Sequence, residues 1–163
     1  MFIALENLFN GGIDKINLDY SFDFSSEKFN EVFPFITDVK LQGEITNRAG
    51  LVEIDAVAGF DFSAPCDRCA AETKKHFDVP VKHGLVPSLN NDDNDDYIVV
   101  ENMELDILNL TLEDVFLFLP SKYLCKEDCK GICSRCGTNL NEKSCGCKKE
   151  VDPRLAALLD LLD

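Results

Sequence analysis

Hydrophobic and polar residues alternate over much of the first half of the chain. Between Ile16 and Val81 the period is mostly two, in stretches such as INLDYSFDF, DVKLQGEI and LVEIDAVAGFDF. This alternation is typical of strands that bury one face of a sheet, and turn-like breaks such as NRAG separate the stretches. The pattern therefore predicts an antiparallel sheet. Its two clearest rows of core residues are Val39, Leu41 and Ile45, and Val52, Ile54, Ala56 and Ala58.

Other patterns predict helices and one further strand. The stretch SEKFNEVF predicts a short helix that Pro34 ends, and YIVVENMEL predicts a strand. Apolar residues fill most of DILNLTLEDVFLFLP, which predicts a buried helix of about three turns with Asp106 as its N-cap. In DPRLAALLDLLD, Asp152 and Pro153 form a helix start signal. The four leucines of one face of this last helix are Leu155, Leu158, Leu159 and Leu162.

Together these elements predict an α+β fold. It has a mainly antiparallel β-sheet body with a buried helix, a Cys-rich metal-binding segment and a short C-terminal helix. We place the body at residues 1–120 with its helix near 106–119, and the Cys-rich segment at 121–150. The C-terminal helix, residues 151–163, is expected to dock on the body.

The composition is that of a globular protein, with 45% hydrophobic and 28% charged residues among 163. No apolar run approaches the roughly 20 residues of a membrane helix. The first residues, MFIALENLFNGG, lack the basic start and small-residue cleavage site of a secretory signal. These features predict a cytoplasmic protein in a reducing compartment, with no membrane partner.

Charge is unevenly distributed along the chain. Residues 1–120 contain 8 Lys or Arg against 23 Asp or Glu, whereas residues 121–154 contain 8 against 5. An acidic body repels phosphate, so a contact with RNA would have to use the basic residues near the cysteines. The candidates for contact with RNA or another partner are Arg68, Lys122, Lys126, Lys130, Arg135, Lys148 and Lys149.

Six of the eight cysteines lie within CKEDCKGICSRCGTNLNEKSCGC, and the other two lie upstream in PCDRC. Disulfides are rare in a reducing compartment, and two pairs with CxxC spacing are typical of metal sites. We expect one or two zinc ions. Chain proximity favours Cys133, Cys136, Cys145 and Cys147 as one set, which leaves Cys66, Cys69, Cys125 and Cys129 as the second. Other partitions, such as a set from Cys125 to Cys136, remain open.

Alternative chemistries have weaker support in the residues. An iron–sulfur cluster is usually shielded by apolar residues, which this segment lacks. A thioredoxin-like CxxC begins a helix after a parallel strand, whereas APCDRCAAE follows a strand that is predicted to be antiparallel. The Asp-rich stretch at 90–96 lacks the glycine and distal glutamate of a calcium loop. His76 and His83 are expected to be ordinary sheet residues. We therefore expect no catalysis, no catalytic residue and no small-molecule substrate.

The order of these motifs resembles the YceD family of large ribosomal RNA subunit accumulation proteins. The resemblance covers roughly residues 50–163 and lies in PCDRCAAE, in LDILNLTLEDVFLFLP, and in the cysteine-rich stretch followed by DPRLAALLDLL. It implies a role in large-subunit rRNA processing or accumulation, without a known catalytic activity. It also implies a large-subunit ribosomal precursor as partner, through rRNA or a basic ribosomal protein. Some members lack the C-terminal cysteines, so the resemblance does not tie metal to the shared function.

Two functions from different classes follow. The first is a noncatalytic factor in large ribosomal subunit assembly, stabilised by zinc. The second is a regulatory or interaction module that responds to zinc or to oxidation through its thiolates.

Overall fold

A computed structural model describes residues 1–88 and 97–147 of the chain. These residues form two compact units. The sheet unit comprises Met1–Ala64 and Glu72–Tyr123, and the cysteine unit comprises Pro65–Ala71 together with the residues from Leu124 onward. In chain order the elements are β1 (Phe2–Ala4), α1 (Glu6–Phe9), β2 (Lys15–Phe22), β3 (Val39–Arg48), β4 (Leu51–Pro65), β5 (Glu72–Val86), β6 (Tyr97–Val99), a 3₁₀ turn (Glu101–Met103), β7 (Glu104–Asp106) and α2 (Ile107–Phe118).

The main sheet has five strands in the order β2-β3-β4-β5-β6. Strand β3 pairs antiparallel with both β2 and β4, whereas β6 pairs parallel with β5. Strands β1 and β7 form a separate antiparallel pair. The α+β class and the mainly antiparallel sheet are thus confirmed, with one parallel pair at the edge.

The core lies on the face of the sheet that the alternating pattern indicated. Both predicted rows are buried: Val39, Leu41, Ile45, Val52, Ile54, Ala56 and Ala58 are each at most 1% exposed. Aromatic rings extend this core, since the Phe62 ring lies 5.9 Å from that of Phe35 and 5.1 Å from that of Tyr123. Burial of this apolar surface is the main force that holds the sheet unit together.

Helix α2 matches the predicted helix in position, but it buries one face only, and Leu108, Leu117 and Phe118 are exposed. Asp106 is its N-cap and accepts a hydrogen bond from the Asn109 N–H. The helix buries Ile107, Leu110, Thr111 and Val115. The hydroxyl of Thr111 donates to the Ile107 carbonyl at 2.6 Å, so the polar atom at this buried position has a partner.

Two local predictions are wrong. The stretch SEKFNEVF contains no helix; Phe29 and Val32 instead exchange backbone hydrogen bonds across a tight turn. At its centre Asn30 and Glu31 both have positive φ, which is the conformation of a type I′ hairpin. The predicted strand after Tyr97 is interrupted, because positive φ at Asn102 and Met103 separates β6 from β7.

Some predictions fall outside the described residues. These are the C-terminal helix at 151–163, the Asp-rich stretch at 90–96, and the candidate contact residues Lys148 and Lys149. None of the described helices is long and apolar enough to cross a membrane.

Candidate metal centres

The cysteine unit brings the eight thiols into two groups of four. The first centre consists of Cys66, Cys69, Cys125 and Cys129, and the second of Cys133, Cys136, Cys145 and Cys147. Within each centre all four Sγ atoms lie within 4.8 Å of one another. This is the division that chain proximity favours.

The sulfur spacing in the first centre fits a tetrahedral ion. A Zn–S bond of about 2.3 Å places the corners of a tetrahedron about 3.8 Å apart. The Sγ atoms of Cys66 and Cys129 are 3.8 Å apart, and those of Cys69 and Cys125 are 3.7 Å apart. All eight cysteines are free thiols, because a disulfide would bring two sulfurs to about 2.05 Å.

A tight turn presents the first CxxC pair. The N–H of Cys66 donates to the Ala71 carbonyl at 2.9 Å, and the N–H of Ala70 donates back to the Cys66 carbonyl at 2.8 Å. Ala70 directly follows Cys69 and has φ of 56°. The turn thus returns the chain sharply after the second cysteine, and both side chains point to one site.

The second CxxC pair repeats this turn. Here the N–H of Cys133 donates to the Thr138 carbonyl at 2.9 Å, and the N–H of Gly137 donates to the Cys133 carbonyl at 2.9 Å. Gly137 follows Cys136 and has φ of 70°. The two CxRC segments are therefore copies of one hydrogen-bonded turn, each of which supplies two thiols to a different centre.

Backbone N–H groups lower the pKa of one buried thiol in the first centre. Burial would raise the pKa of Cys66, but hydrogen bonds from the N–H groups of Cys125, Arg68 and Cys69 lower it to about 6. Burial and hydrogen bonds with the neighbouring thiols raise the pKa of Cys125 to about 12. Two thiols of this centre, Cys66 and Cys129, thus have lowered pKa values, and the other two, Cys69 and Cys125, have raised ones. Thiols next to an ionised thiol resist ionisation because like charges repel.

In the second centre, too, two thiols have lowered pKa values, Cys133 and Cys136, and two have raised ones, Cys145 and Cys147. The hydroxyl and the N–H of Thr138 hydrogen-bond to the Cys136 sulfur and lower its pKa to about 6. The hydrogen bond and charge of Cys136, together with burial, raise the pKa of Cys147 to about 12. A divalent cation supplies the positive charge that allows all four thiols of such a group to ionise.

Asn141 links the first centre to the chain around it. Its Nδ2 donates to the Cys129 sulfur at 3.3 Å, and its Oδ1 accepts from the Lys130 N–H at 2.8 Å. The Arg68 guanidinium donates to the Cys129 carbonyl at 3.0 Å. The Asn141 Nδ2 contact directs the Cys129 sulfur, and the other two contacts hold the backbone of Cys129 and Lys130. Outer hydrogen-bond partners orient metal ligands in the same way.

The two centres differ in exposure. Cys66, Cys69 and Cys129 are at most 6% exposed, and Cys125 is half-buried. In the second centre Cys136 and Cys147 are exposed. Solvent and reagents therefore have direct access to the second centre.

The predicted contact residues do not all lie in one unit. Lys122 belongs to the sheet unit, whereas Arg68, Lys126, Lys130 and Arg135 belong to the cysteine unit. Lys126 pairs with Asp128 at 3.9 Å. A common contact face for these residues stays a prediction.

Both histidines lie in β5 of the sheet unit and contact carboxylates. His76 Nδ1 lies 2.6 Å from Asp61, and His83 Nε2 lies 2.7 Å from Asp114. Neither belongs to a group that could hold a metal among the described residues.

Sequence reasoning missed Asn141, Thr138 and Ala70. Asn141 lies 12 residues after Cys129, so no local spacing identifies it. Thr138 and Ala70 could have been found by aligning CDRCAA with CSRCGT, which places Ala70 opposite Gly137 and Ala71 opposite Thr138.

The sequence of the chain is similar to one protein family and to several known proteins. The family model described as large ribosomal RNA subunit accumulation protein YceD matches residues 54–162, which contain all eight cysteines. The chain is 29% identical to the uncharacterized protein YlbN of Bacillus subtilis over 138 residues, 83% of this chain and 80% of that protein. No solved structure matches the chain significantly.

Two other matches are shorter. The chain is 38% identical over 50 residues to the chloroplastic large ribosomal RNA subunit accumulation protein YCED homolog 1 of Arabidopsis thaliana, which is 31% of this chain and 16% of that protein. It is 33% identical over 58 residues to the uncharacterized protein Rv2926c of Mycobacterium tuberculosis, 36% of this chain and 28% of that protein.

Proposed function

Because the chain belongs to the YceD family of large ribosomal RNA subunit accumulation proteins, we propose that it is a noncatalytic factor in large ribosomal subunit assembly. In this role it supports the processing or accumulation of large-subunit rRNA in the cytoplasm, where the precursor is assembled. The observation that carries the proposal is the family match over residues 54–162. The matched region includes α2 and both four-thiol centres.

Each centre is proposed to hold one structural zinc ion. Four thiolates at tetrahedral spacing are the ligand set of structural zinc sites. Zinc suits the second centre better than an iron–sulfur cluster does, because Cys136 and Cys147 are exposed and solvent exposure favours loss of such clusters. The ion in the first centre joins Cys66 and Cys69 to Cys125 and Cys129, so it closes a long loop of the chain.

A noncatalytic role agrees with the ligand sets. A catalytic zinc site keeps one position open for water or substrate, whereas four thiolates fill a tetrahedral ion. The described histidines, His76 and His83, each contact a carboxylate on the sheet unit instead of joining a cysteine group.

Charge favours a basic ribosomal protein over rRNA as the direct partner. Two zinc ions with eight thiolates contribute a net charge of about −4, in addition to the formal −14 of the chain. Without metal, residues 65–71 and 124–147 have a net charge of about +1. They contain five cationic side chains, Arg68, Lys126, Lys130, Arg135 and Lys143, and four carboxylates, Asp67, Glu127, Asp128 and Glu142. With two zinc ions and eight thiolates these residues carry a net charge of about −3, which does not favour a phosphate backbone.

The test is co-sedimentation in cells that lack the gene and carry a tagged copy. We expect the protein to migrate with large-subunit precursors, and cells without it to accumulate less mature large-subunit rRNA. Substitution of Cys66 and Cys69 by serine should abolish the rescue, whereas Lys40→Ser with Lys74→Ser, a pair of exposed sheet positions, should preserve it. Sedimentation of the tagged protein as free protein alone, with normal rRNA in the deletion strain, would contradict the proposal.

The exposure of Cys136 and Cys147 supports a second candidate, a module that responds to oxidation. A peroxide would take two electrons from two thiolates of the second centre, form one disulfide, and be reduced to water. Zinc release at one equivalent of peroxide, followed by rebinding after thiol reduction, would support this function. Full retention of zinc under these conditions would argue against it.

A further inference from the structure

A groove runs along the sheet unit between β6 and α2. Its volume is about 290 Å³. Ile98, Leu105 and Leu110 line it, and the exposed side chains of Phe2 and Val99 stand at its rim, 67% and 42% exposed. Exposed apolar side chains beside a groove are typical of sites that bind another chain.

The charged side chains that line the groove are all acidic. Its lining contains Glu101, Glu104, Asp106 and Glu113, and no Lys or Arg among the described residues. Asp106 is paired with the amino group of Met1 at 2.8 Å, and Glu113 accepts from Asn109 at 2.7 Å. Glu101 and Glu104 are both exposed, and they give the groove a negative field that attracts cationic side chains.

Strand β6 also offers a backbone edge to this region. It is the last strand of the five-stranded sheet, so in the part of the chain that the structure describes its second edge is unpaired. The N–H of Val100 donates to Val86 of β5 at 2.9 Å. Because backbone groups alternate in direction along a strand, the N–H and C=O of Val99 point to the open edge.

We infer that this groove binds an extended, Lys- and Arg-rich protein segment, which adds as a strand along β6. The backbone of the segment would bond to the Val99 edge, its apolar side chains would contact Phe2 and Val99, and its cations would face Glu101 and Glu104. The same carboxylates repel phosphate, which disfavours RNA as the occupant. The identification of this segment as part of a ribosomal protein rests on the proposed function.

The direct test uses the full chain and a synthetic eight-residue peptide of alternating lysine and valine, measured by calorimetry and by amide NMR. We expect saturable binding that weakens with salt, and shifts centred on the β6 amides. The double variant Glu101→Lys, Glu104→Lys should weaken binding about tenfold or more. Its matched control, Asp19→Lys with Glu53→Lys, makes the same change in net charge at exposed positions of β2 and β4 and should bind nearly as the parent does.

The strand contact has its own test. Val99→Pro removes the outward N–H without removing a bond to β5, so the fold should persist while peptide binding is lost. Val99→Ala retains the N–H and serves as its control. A peptide N-methylated at alternate residues keeps the charge and the side chains but cannot pair along one edge, and should bind at least tenfold more weakly to the unaltered protein.

Several outcomes would overturn the inference. Absence of peptide binding, equal weakening by both charge-reversal pairs, or equal binding of the N-methylated peptide would each do so. If single-stranded RNA, and not the peptide, shifts the β6 amides, the occupant is RNA. Co-sedimentation with ribosomal precursors is measured separately: if it persists without peptide binding, only the groove proposal fails, and if the peptide binds without co-sedimentation, only the ribosomal function fails.

Discussion

The N–H of Ala70 donates to the carbonyl of Cys66 at an N···O distance of 2.8 Å. This hydrogen bond closes the first CxxC turn and holds Ala70 at φ of 56°, a conformation that costs an L-residue with a side chain about 1 kcal/mol. The corresponding position of the second turn is Gly137, where φ is 70° and glycine adopts it without strain. The two copies of this turn thus have different residues, Ala70 and Gly137, at the position of positive φ.

This difference predicts opposite effects of exchanging the two residues. Ala70→Gly should raise the free energy of unfolding by up to about 0.5 kcal/mol, since relief of strain exceeds the added freedom of the unfolded chain. Gly137→Ala should lower it by about 1 kcal/mol, although no atom lies within 4 Å of the added Cβ. Thermal unfolding of the metal-loaded protein measures both.

Gly146→Ala is the control for this pair, because its Cβ would also meet no atom within 4 Å and its φ is not in the left-handed range. It should leave stability unchanged or raise it slightly. If Ala70→Gly lowers the free energy of unfolding, backbone strain at Ala70 does not determine the stability of this turn.

The sheet could be predicted because burial on one face imposes a period that survives in a single sequence. Val39, Leu41 and Ile45 alternate with polar residues and are all fully buried. Asp106 likewise marked the start of α2 by local capping chemistry. Such features depend on neighbours within a few residues along the chain.

The wrong predictions concern places where the residue types do not indicate the backbone conformation. The hairpin at Asn30 and Glu31 needs two positive φ values, but lacks the Asn-Gly signal that usually identifies a type I′ turn. Strands β1 and β7 pair across about a hundred residues, and three-residue strands carry no periodic signal. Asn141 was missed for the same reason, since only the folded chain brings it to Cys129.

Removal of the Asn141 side chain should weaken metal binding at the first centre. Asn141→Ala loses the N–H···S bond to Cys129 and the hydrogen bond to Lys130, and Asn141→Asp places a negative charge beside the thiolate. Losses of outer-shell partners typically cost about 10- to 100-fold in metal affinity. Competition with a coloured zinc chelator measures this effect.

Asn17→Asp is the matched control, because Asn17 is exposed on β2 and the change adds the same charge far from the cysteines in sequence. Its zinc affinity should equal that of the parent. Unchanged affinity in Asn141→Asp as well would remove Asn141 from the metal centre.

His76 should titrate above the ordinary value of 6.5 for histidine. The hydrogen bond to Asp61 raises its pKa, with a further contribution from the charge of Asp78, which lies 3.4 Å from Nε2. Since the folded state binds the proton more tightly, this contribution to stability is fully present below pH 6.5 and is lost as pH rises through the folded pKa.

NMR titration of the imidazole resonances measures this pKa directly. Asp61→Asn should lower the His76 pKa toward 6.5, because the hydrogen bond that raises it most loses its carboxylate acceptor. Asp19→Asn, at an exposed position on β2, should leave it unchanged. A His76 pKa that is the same in the parent and in Asp61→Asn would contradict the structural assignment of this pair.

The two metal centres should lose their ions in order. Each chain should bind two zinc ions, and a chelator combined with a thiol reagent should remove the ion of the second centre first, because Cys136 and Cys147 are exposed. The first centre should follow slowly, since Cys66, Cys69 and Cys129 are at most 6% exposed and open only when the turn around them does. Cys147→Ser should remove the fast phase and leave one zinc per chain, whereas Cys129→Ser should remove the slow phase. A single phase of two ions, or a fast phase that survives Cys147→Ser, would show that exposure does not set the order of release.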